Sequence, residues 1–465
     1  MPPAEQLSQS LASFLDDVAS KPAQTGLLGL EHEYVVVGRR GPVDFRSLIS
    51  KLDLGRPNLD PGDPHAYRLR SGSVVTCDAA EAEIALPPAS RTKGFATATA
   101  IRAAAETAAL GRRLPRHRLL GCSTHISVSV PDHLVHATAA LYARTFAPAL
   151  MLLLDGLDSP GLLVRPRPGR VELGGEFIAD EALVAAINFA VGSVLACAWA
   201  ASRSHFRKGA QTPQLAFEPE PARGRFGWYV DRRAFGSDLY LDGRRAPLPL
   251  ASGGSTTAQQ QLEVGWAEAR PLVEAQMTVG EIDHLDALVT GTRRLPIEAS
   301  APASSARLPT SRVRLDPVTD ALLEGCGRPG FALAPVMLTW EVAVLLLATT
   351  ERDRVAFLTV PMAAATEFVR ALHCGRLDGL LTRYLALPPA GLLLHHRSQV
   401  LRAGIYDCIG PRRNLLPIER TSAPDRGPVA ATRFIGAIRR RVLGRMGARR
   451  VRPLAGPLPG SLRGA

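Results

Sequence analysis

The chain has 465 residues with a formal charge of +12, and 46% of its residues are hydrophobic against 21% charged. That composition excludes a disordered chain and leaves room for two or three domains with a sizeable core. Only Lys21, Lys51, Lys93 and Lys208 are lysines among 55 basic residues, so the pI near 9.9 is set by arginine. Arginine suits two-pronged contact with phosphate or carboxylate, and the charge alone does not single out nucleic acid.

The six cysteines are scattered without a CxxC pair. This predicts reduced thiols and a cytoplasmic location, not a disulfide framework or a zinc site. The first twenty residues lack a basic segment followed by a long apolar run, so no signal peptide is expected.

Taken in chain order, residues 5–19 have the apolar spacing of a short amphipathic helix. From about 26 to 200, strands alternate with helices, the latter over Thr97–Leu110 and Leu134–Leu154, with turns at Pro/Gly clusters such as 56–64. Ala182–Ser202 carries no charge and is long enough to span a bilayer, but its alanines, Asn188 and two further serines point to a buried helix. Residues 210–260 suggest a hairpin around GRFGWYVDRRAFGSDLYLDGRR. The Ser/Ala/Pro stretch 298–312 reads as a linker or long loop closing a domain of residues 1–297. Residues 313–431 are expected to be mainly helical, with Phe331–Thr350 a core helix, and 432–465 to form an Arg-rich tail.

Four strands carry the chemistry. Alternate side chains of a strand point to opposite faces. In LGLEHEYVVV (28–37), Glu31 and Glu33 share one face and His32 points away from them. In EAEIALPP (81–88), Glu81 and Glu83 share a face. In THISVSV (124–130), His125, Ser127 and Ser129 stand against an apolar back. In GRVELGGEF (169–177), Arg170, Glu172, Gly174 and Glu176 alternate with Val171, Leu173, Gly175 and Phe177. A solvated sheet face normally mixes both signs of charge, whereas these fronts hold acids and one histidine at their centres. Clustered carboxylates repel one another unless cations sit among them, and Mg²⁺ or Mn²⁺ prefers such oxygens. Asp78 and Glu81 are set aside as a turn residue and a solvated charge.

These four segments resemble, in order, the acidic strands of the glutamate–cysteine ligase and carboxylate–amine ligase group of the glutamine synthetase-like superfamily. GLEHEYVV (29–36) is similar to its G-x-E-x-E-[FY] strand, and EAEIALPP to its second acidic strand. GCSTHISVSV (121–130) is similar to its G-x-H-x-H-V-x-V strand, and VRPRPGRVELGGEFIAD (164–180) to its R-P…T-x-E-x-R…D segment. The likeness covers about residues 25–215. Two positions differ from the family pattern: Ser127 replaces the second histidine, and Gly174 replaces the arginine two residues after the last glutamate.

The resemblance implies an α+β fold, a curved antiparallel sheet with outer helices, and an active site in the mouth of the sheet. It implies ATP and Mg²⁺ (or Mn²⁺) as cofactors, with Glu31, Glu33, Glu83, His125 and Glu172 as metal and phosphate ligands. Glu31, Glu33 and Arg170 are then the catalytic candidates, and Arg165, Arg203 and Arg207 would contact nucleotide or substrate. The implied reaction joins a small-molecule carboxylate to an amine, with neither nucleic acid nor a membrane span involved. Two alternatives stay open: a catalytically degenerate relative that binds a nucleotide or metabolite, and a nucleic-acid-binding protein using the arginines around 439–452.

Overall fold

A computed structural model describes residues 26–52, 54, 56–57, 66–69, 71–157, 159–202, 213–217, 219–221, 227–298, 326–328, 331–338, 340, 342–349 and 355–385. The expected helix over 5–19, nearly all of the 298–312 linker, Arg203, Arg207 and the Arg-rich tail lie outside them. The chain divides into two compact units, one of residues 25–48 and 77–313, the other of 1–24, 49–76 and 314–465. In this division residues 49–76 group with 314–465.

The first unit is a mixed α/β structure on a large antiparallel sheet. Its strands are β1 (Leu27–Gly38), β2 (Gly41–Val43), the end of β5 (Val74–Asp78), β6 (Glu81–Ala85), β7 (Ala89–Ser90), β8 (Arg118–Ser129), β9 (Gly161–Arg167), β10 (Arg170–Gly175), β11 (Glu220–Pro221) and β12 (Trp228–Asp231). They run in the order β11-β12-β9-β10-β8-β1-β6, with β2 and β7 also paired to β1. In the second unit, the two-residue strands β3 (Arg56–Pro57) and β4 (Tyr67–Arg68) pair with each other, and β4 pairs with the start of β5.

Strand alternation separates the two faces of the main sheet. Leu28, Leu30, Tyr34 and Val36 of β1, Ile126 and Val128 of β8, Val171 and Leu173 of β10, and Leu162 and Val164 of β9 are all buried on the back. His32 lies there too, 3% exposed, with its ring 4.7 Å from that of Phe177 and its Nδ1 3.2 Å from the Tyr34 hydroxyl. Gly121 is required at this point, because a Cβ on it would come within 2.1 Å of the Phe177 ring.

The back is covered by helices α1 (Phe95–Arg113), α2 (Asp132–Thr145), α3 (Ala147–Leu154) and α4 (Asp180–Ser202); the one-turn helix α5 (Leu239–Asp242) precedes α6 (Ala258–Ala269), and α6 and α7 (Val279–Val289) pack against α4. Helix α4, the uncharged stretch expected to be buried, touches α1, α2, α3, α6, α7 and β8. It is the one helix among the described residues that is long and apolar enough to cross a membrane, and most of it is buried within the protein. The single helix expected over 134–154 is two, bent by 72° at Phe146, with Pro148, which has no backbone N–H to donate, in the first turn of the second.

In the 210–260 region β11 (Glu220–Pro221) pairs antiparallel with β12 (Trp228–Asp231), the hairpin expected there, and β12 also joins the main sheet beside β9; a second hairpin, β13 (Pro247–Pro249) with β14 (Ser255–Thr257), follows. One expectation fails. In the second unit, Phe331–Thr350 is not a helix: β15 (Cys326–Arg328), β16 (Phe331–Leu338), β17 (Val342–Thr349) and β18 (Val355–Pro361) form a four-stranded antiparallel sheet. Helices α8 (Met362–His373) and α9 (Asp378–Leu385) follow it, so the described part of 313–431 is not mainly helical. Periodicity cannot separate two short, wholly apolar strands from one buried helix. Pro335, which would break such a helix, is tolerated here because β15 pairs only as far as Leu333 and the β16–β17 register shifts between Pro335 and Met337.

Candidate functional site

The antiparallel register gathers the front-face residues into rows. Glu31 of β1 pairs with His125 of β8, and His125 with Gly174 of β10. One row along, Gly29 pairs with Ser127, Ser127 with Glu172 and Glu172 with Arg165 of β9. On the other side, Glu33 pairs with both Ser123 and Glu83. Paired residues point to the same face, so Glu31, Glu33, Glu83, His125 and Glu172 converge although they come from four strands.

Their donor atoms form two groups. One ligand atom each from Glu31, His125 and Glu172 lie within 4.8 Å of one another, and so do those of Glu33, Asp78 and Glu83. The second group contains a residue the sequence reading set aside. Asp78 ends β5, and the Ala79–Ala80 turn, with Ala79 at φ 48°, returns the chain into β6. Asp78 thus lies beside Glu83 across a tight turn; its signal in the sequence was the D-A-A-E spacing, which reads equally well as plain turn chemistry.

His125 stands between the groups. Its Nδ1 is 3.4 Å from Glu31 Oε2 and 3.7 Å from Glu172 Oε1, and its Nε2 is 3.8 Å from Glu33 Oε1. Glu172 is 1% exposed, and it is held by Arg165, whose Nη2 donates to Oε1, and by Arg167, whose Nε lies 3.0 Å from Oε2. Arg167 was missed, although it alternates with Arg165 on β9 and therefore faces the same way. Arg170 pairs with Ser129 at the end of the front face away from Glu33.

The field of the site is visible in its ionisable groups. Burial raises the Glu31 carboxyl, but the hydrogen bond and charge of His125, with the charges of Arg170 and Arg165, outweigh it and hold the group below its ordinary value. The Cys122 thiol beside the second group is pushed up to about 11, first by burial and then by the negative charge of Glu33, Glu81 and Asp78. Two carboxylates with an imidazole, and three carboxylates, are donor sets that suit hard divalent cations, with Mn²⁺ the more tolerant of nitrogen. His32 lies on the helix-covered back and belongs to neither donor group among the described residues.

No protein-family profile and no curated protein sequence matches the chain. Among solved structures it is similar to PafA, the ligase of the prokaryotic ubiquitin-like protein Pup. Against the Pup–PafA complex the identity is 14% over 59% of this chain and 66% of that one, with a TM-score of 0.35. Against PafA in complex with ADP it is 12% over 53% and 63%, with a TM-score of 0.29. The chain thus spans just under two thirds of the length of these ligases.

Proposed function

We propose that the chain is an ATP- and Mg²⁺-dependent carboxylate–amine ligase that acts on an amino-acid-like carboxylate and resembles glutamate–cysteine ligase in its chemistry. The observation that carries this reading is the pair of donor groups, Glu31–His125–Glu172 and Glu33–Asp78–Glu83, side by side on one sheet face. Each would hold one divalent ion. Bound Mg²⁺ supplies charge neutralisation for the phosphates of the nucleotide.

A carboxylate is a poor acylating agent and needs activation. One of its oxygens attacks the γ-phosphorus of ATP, the bond to the bridging oxygen breaks and ADP leaves. The amine then attacks the acyl phosphate, loses a proton and expels phosphate. In this reading Glu31 and Glu33 would hold the ions that neutralise the phosphates, and Arg170 and Arg165 would meet phosphate or the acceptor carboxylate. Arg165 and Arg167 hold the Glu172 carboxylate with two positive charges. Arg203 and Arg207, next along the chain after α4, are proposed as further contacts to the nucleotide. A cytoplasmic setting suits the thiols of Cys77, Cys122, Cys197 and Cys374, which are not joined in disulfides.

The test is Mg²⁺-dependent phosphate release from ATP by the full chain, with free amino acids as one set of acceptors and small acidic proteins as the other. Glu33→Ala should abolish turnover with its melting temperature retained. Turnover that survives this substitution removes the reading. A chain that binds Mn²⁺ and ATP yet releases no phosphate with any acceptor would be a non-catalytic binder.

A further inference from the structure

A Cβ placed on Gly174 would lie 2.9 Å from His125 Cδ2 and 3.0 Å from His125 Nε2. Side-chain carbons do not approach a ring that closely, so any residue larger than glycine must displace the imidazole. Backbone conformation is not what calls for glycine here, because Gly174 is not among the residues with positive φ. The neighbouring Gly175 differs: its Cβ would meet Asp155 Oδ1 at 2.4 Å and Leu154 Cδ2 at 2.7 Å, so its need lies in the packing of the β10 end on α3. On the Gly174 side the next atom is Leu163 Cβ at an ordinary 3.6 Å, which leaves the histidine ring as the one group that must give way.

We infer that Gly174 is a positioning residue: its missing side chain lets the His125 ring lie against β10, with Nδ1 toward Glu31 and Glu172 and Nε2 toward Glu33. One ring is then shared by both donor groups. A histidine that serves an ion through one nitrogen is normally oriented by a hydrogen bond at the other, and loss of that orientation weakens the ion. In this chain Glu33 faces Nε2 at an ion-pair distance of 3.8 Å, and the open space over Gly174 fixes where the ring lies. A methyl at 174 presses the ring toward β1 and spoils both relations together. The inference rests on the reading of the donor groups as ion sites, and it extends that reading to a residue without any ligand atom.

The experiment compares wild type, Gly174→Ala, His125→Ala and the double variant as full chains. Mn²⁺ titration by calorimetry reads the ions, and ¹⁵N-histidine NMR, assigned with His125→Ala, reads the ring. Gly174→Ala should move the His125 ring signals and weaken one Mn²⁺ by about tenfold or more, with the melting temperature close to wild type. Unchanged ring signals and two unchanged Mn²⁺ affinities overturn the inference. If Gly174→Ala folds poorly, the double variant decides. Melting like His125→Ala alone supports a clash with the ring, and damage as great as in Gly174→Ala alone overturns it. A wild-type chain that takes up no Mn²⁺ would instead defeat the ligase reading and the ion half of this inference, while the ring signals still judge the positioning half.

Discussion

Arg165 of β9 and Glu172 of β10 face each other across the ladder, and the guanidinium donates to Glu172 Oε1, the oxygen that also lies 3.7 Å from His125 Nδ1. One carboxylate oxygen therefore serves a fixed cation and a candidate ion ligand together. With Arg165→Met, Glu172, 1% exposed in the native fold, keeps the Arg167 guanidinium at 3.0 Å and the His125 ring at 3.7 Å. Removing one partner of a buried pair costs about 3–5 kcal/mol, and urea unfolding without divalent metal should show a loss toward the lower end of that range. Millimolar Mn²⁺ should restore more stability to the variant than it adds to wild type, because the ion replaces the missing positive charge. An equal effect of Mn²⁺ on both proteins would detach Glu172 from the ion site.

Asp78 closes the second donor group with Glu33 and Glu83. Asp78→Asn keeps the size of the side chain and removes one negative charge. It should weaken one of two Mn²⁺ ions by roughly tenfold, the effect of about 1.4 kcal/mol, and leave the other unchanged in calorimetric titration. Glu81→Gln is the control. Its carboxylate accepts from the Ala80 N–H at 3.0 Å, so it serves the turn, and its substitution should leave both affinities intact.

Glu281 ties two helices together from inside the fold. One of its oxygens accepts from the Thr97 N–H at 3.0 Å and the Thr97 hydroxyl at 2.6 Å near the start of α1, and the other from the Thr278 N–H at 2.7 Å in the capping box of α7. Its negative charge also sits at the positive ends of both helices. Glu281→Ala strands these donors in a site that is 6% exposed. Thermal unfolding should reveal a loss of about 2–3 kcal/mol with ion binding untouched, which separates support of the scaffold from work in the site.

The polar faces of β1, β6, β8 and β10 were legible because period two leaves no freedom once a strand is recognised: Glu31, Glu33, Glu83, His125 and Glu172 fall on one face, and His32 on the other. The convergence of these strands was not written in any one of them. It depends on a sheet order, β10-β8-β1-β6, that brings residues more than 130 positions apart into adjacent rows. The resemblance to a known order of acidic strands supplied that step. Asp78 escaped because a short turn with an acid at its start looks the same whether or not the acid binds anything. Phe331–Thr350 was misread because unbroken apolar runs carry no period, and only Pro335 hinted at strands.

Two buried groups give opposite pH dependences that single variants can pull apart. Asp155, at the end of α3, accepts hydrogen bonds from Tyr240 and the Glu176 N–H. Its carboxyl is pushed up to about 7, chiefly by burial and further by the Glu176 charge, against the hydrogen bonds of Tyr240, Glu176 and Ser159. Between the ordinary 3.8 and about 7 the folded chain keeps a proton that the unfolded chain releases, so this group's stabilisation is lost as pH rises through that window. His32 behaves in the opposite sense. Burial lowers it from 6.5 to about 4, the His125 charge adds to the effect, and the Ile178 backbone opposes it. The unfolded chain then binds a proton that the folded chain refuses, and stability is lost as pH falls through 6.5 toward 4. Each effect is on the order of 3–4 kcal/mol over its window, and the two cancel where the windows overlap. Urea unfolding at pH 4.5, 5.5, 6.5 and 7.5 should therefore give a shallow wild-type profile. Relative to wild type, Asp155→Asn should gain stability steadily as pH rises, because Asn can still accept from the Glu176 N–H and has no proton to lose. His32→Gln should lean the other way and gain as pH falls. Parallel profiles for the three proteins would mean that neither group is held as the buried geometry requires.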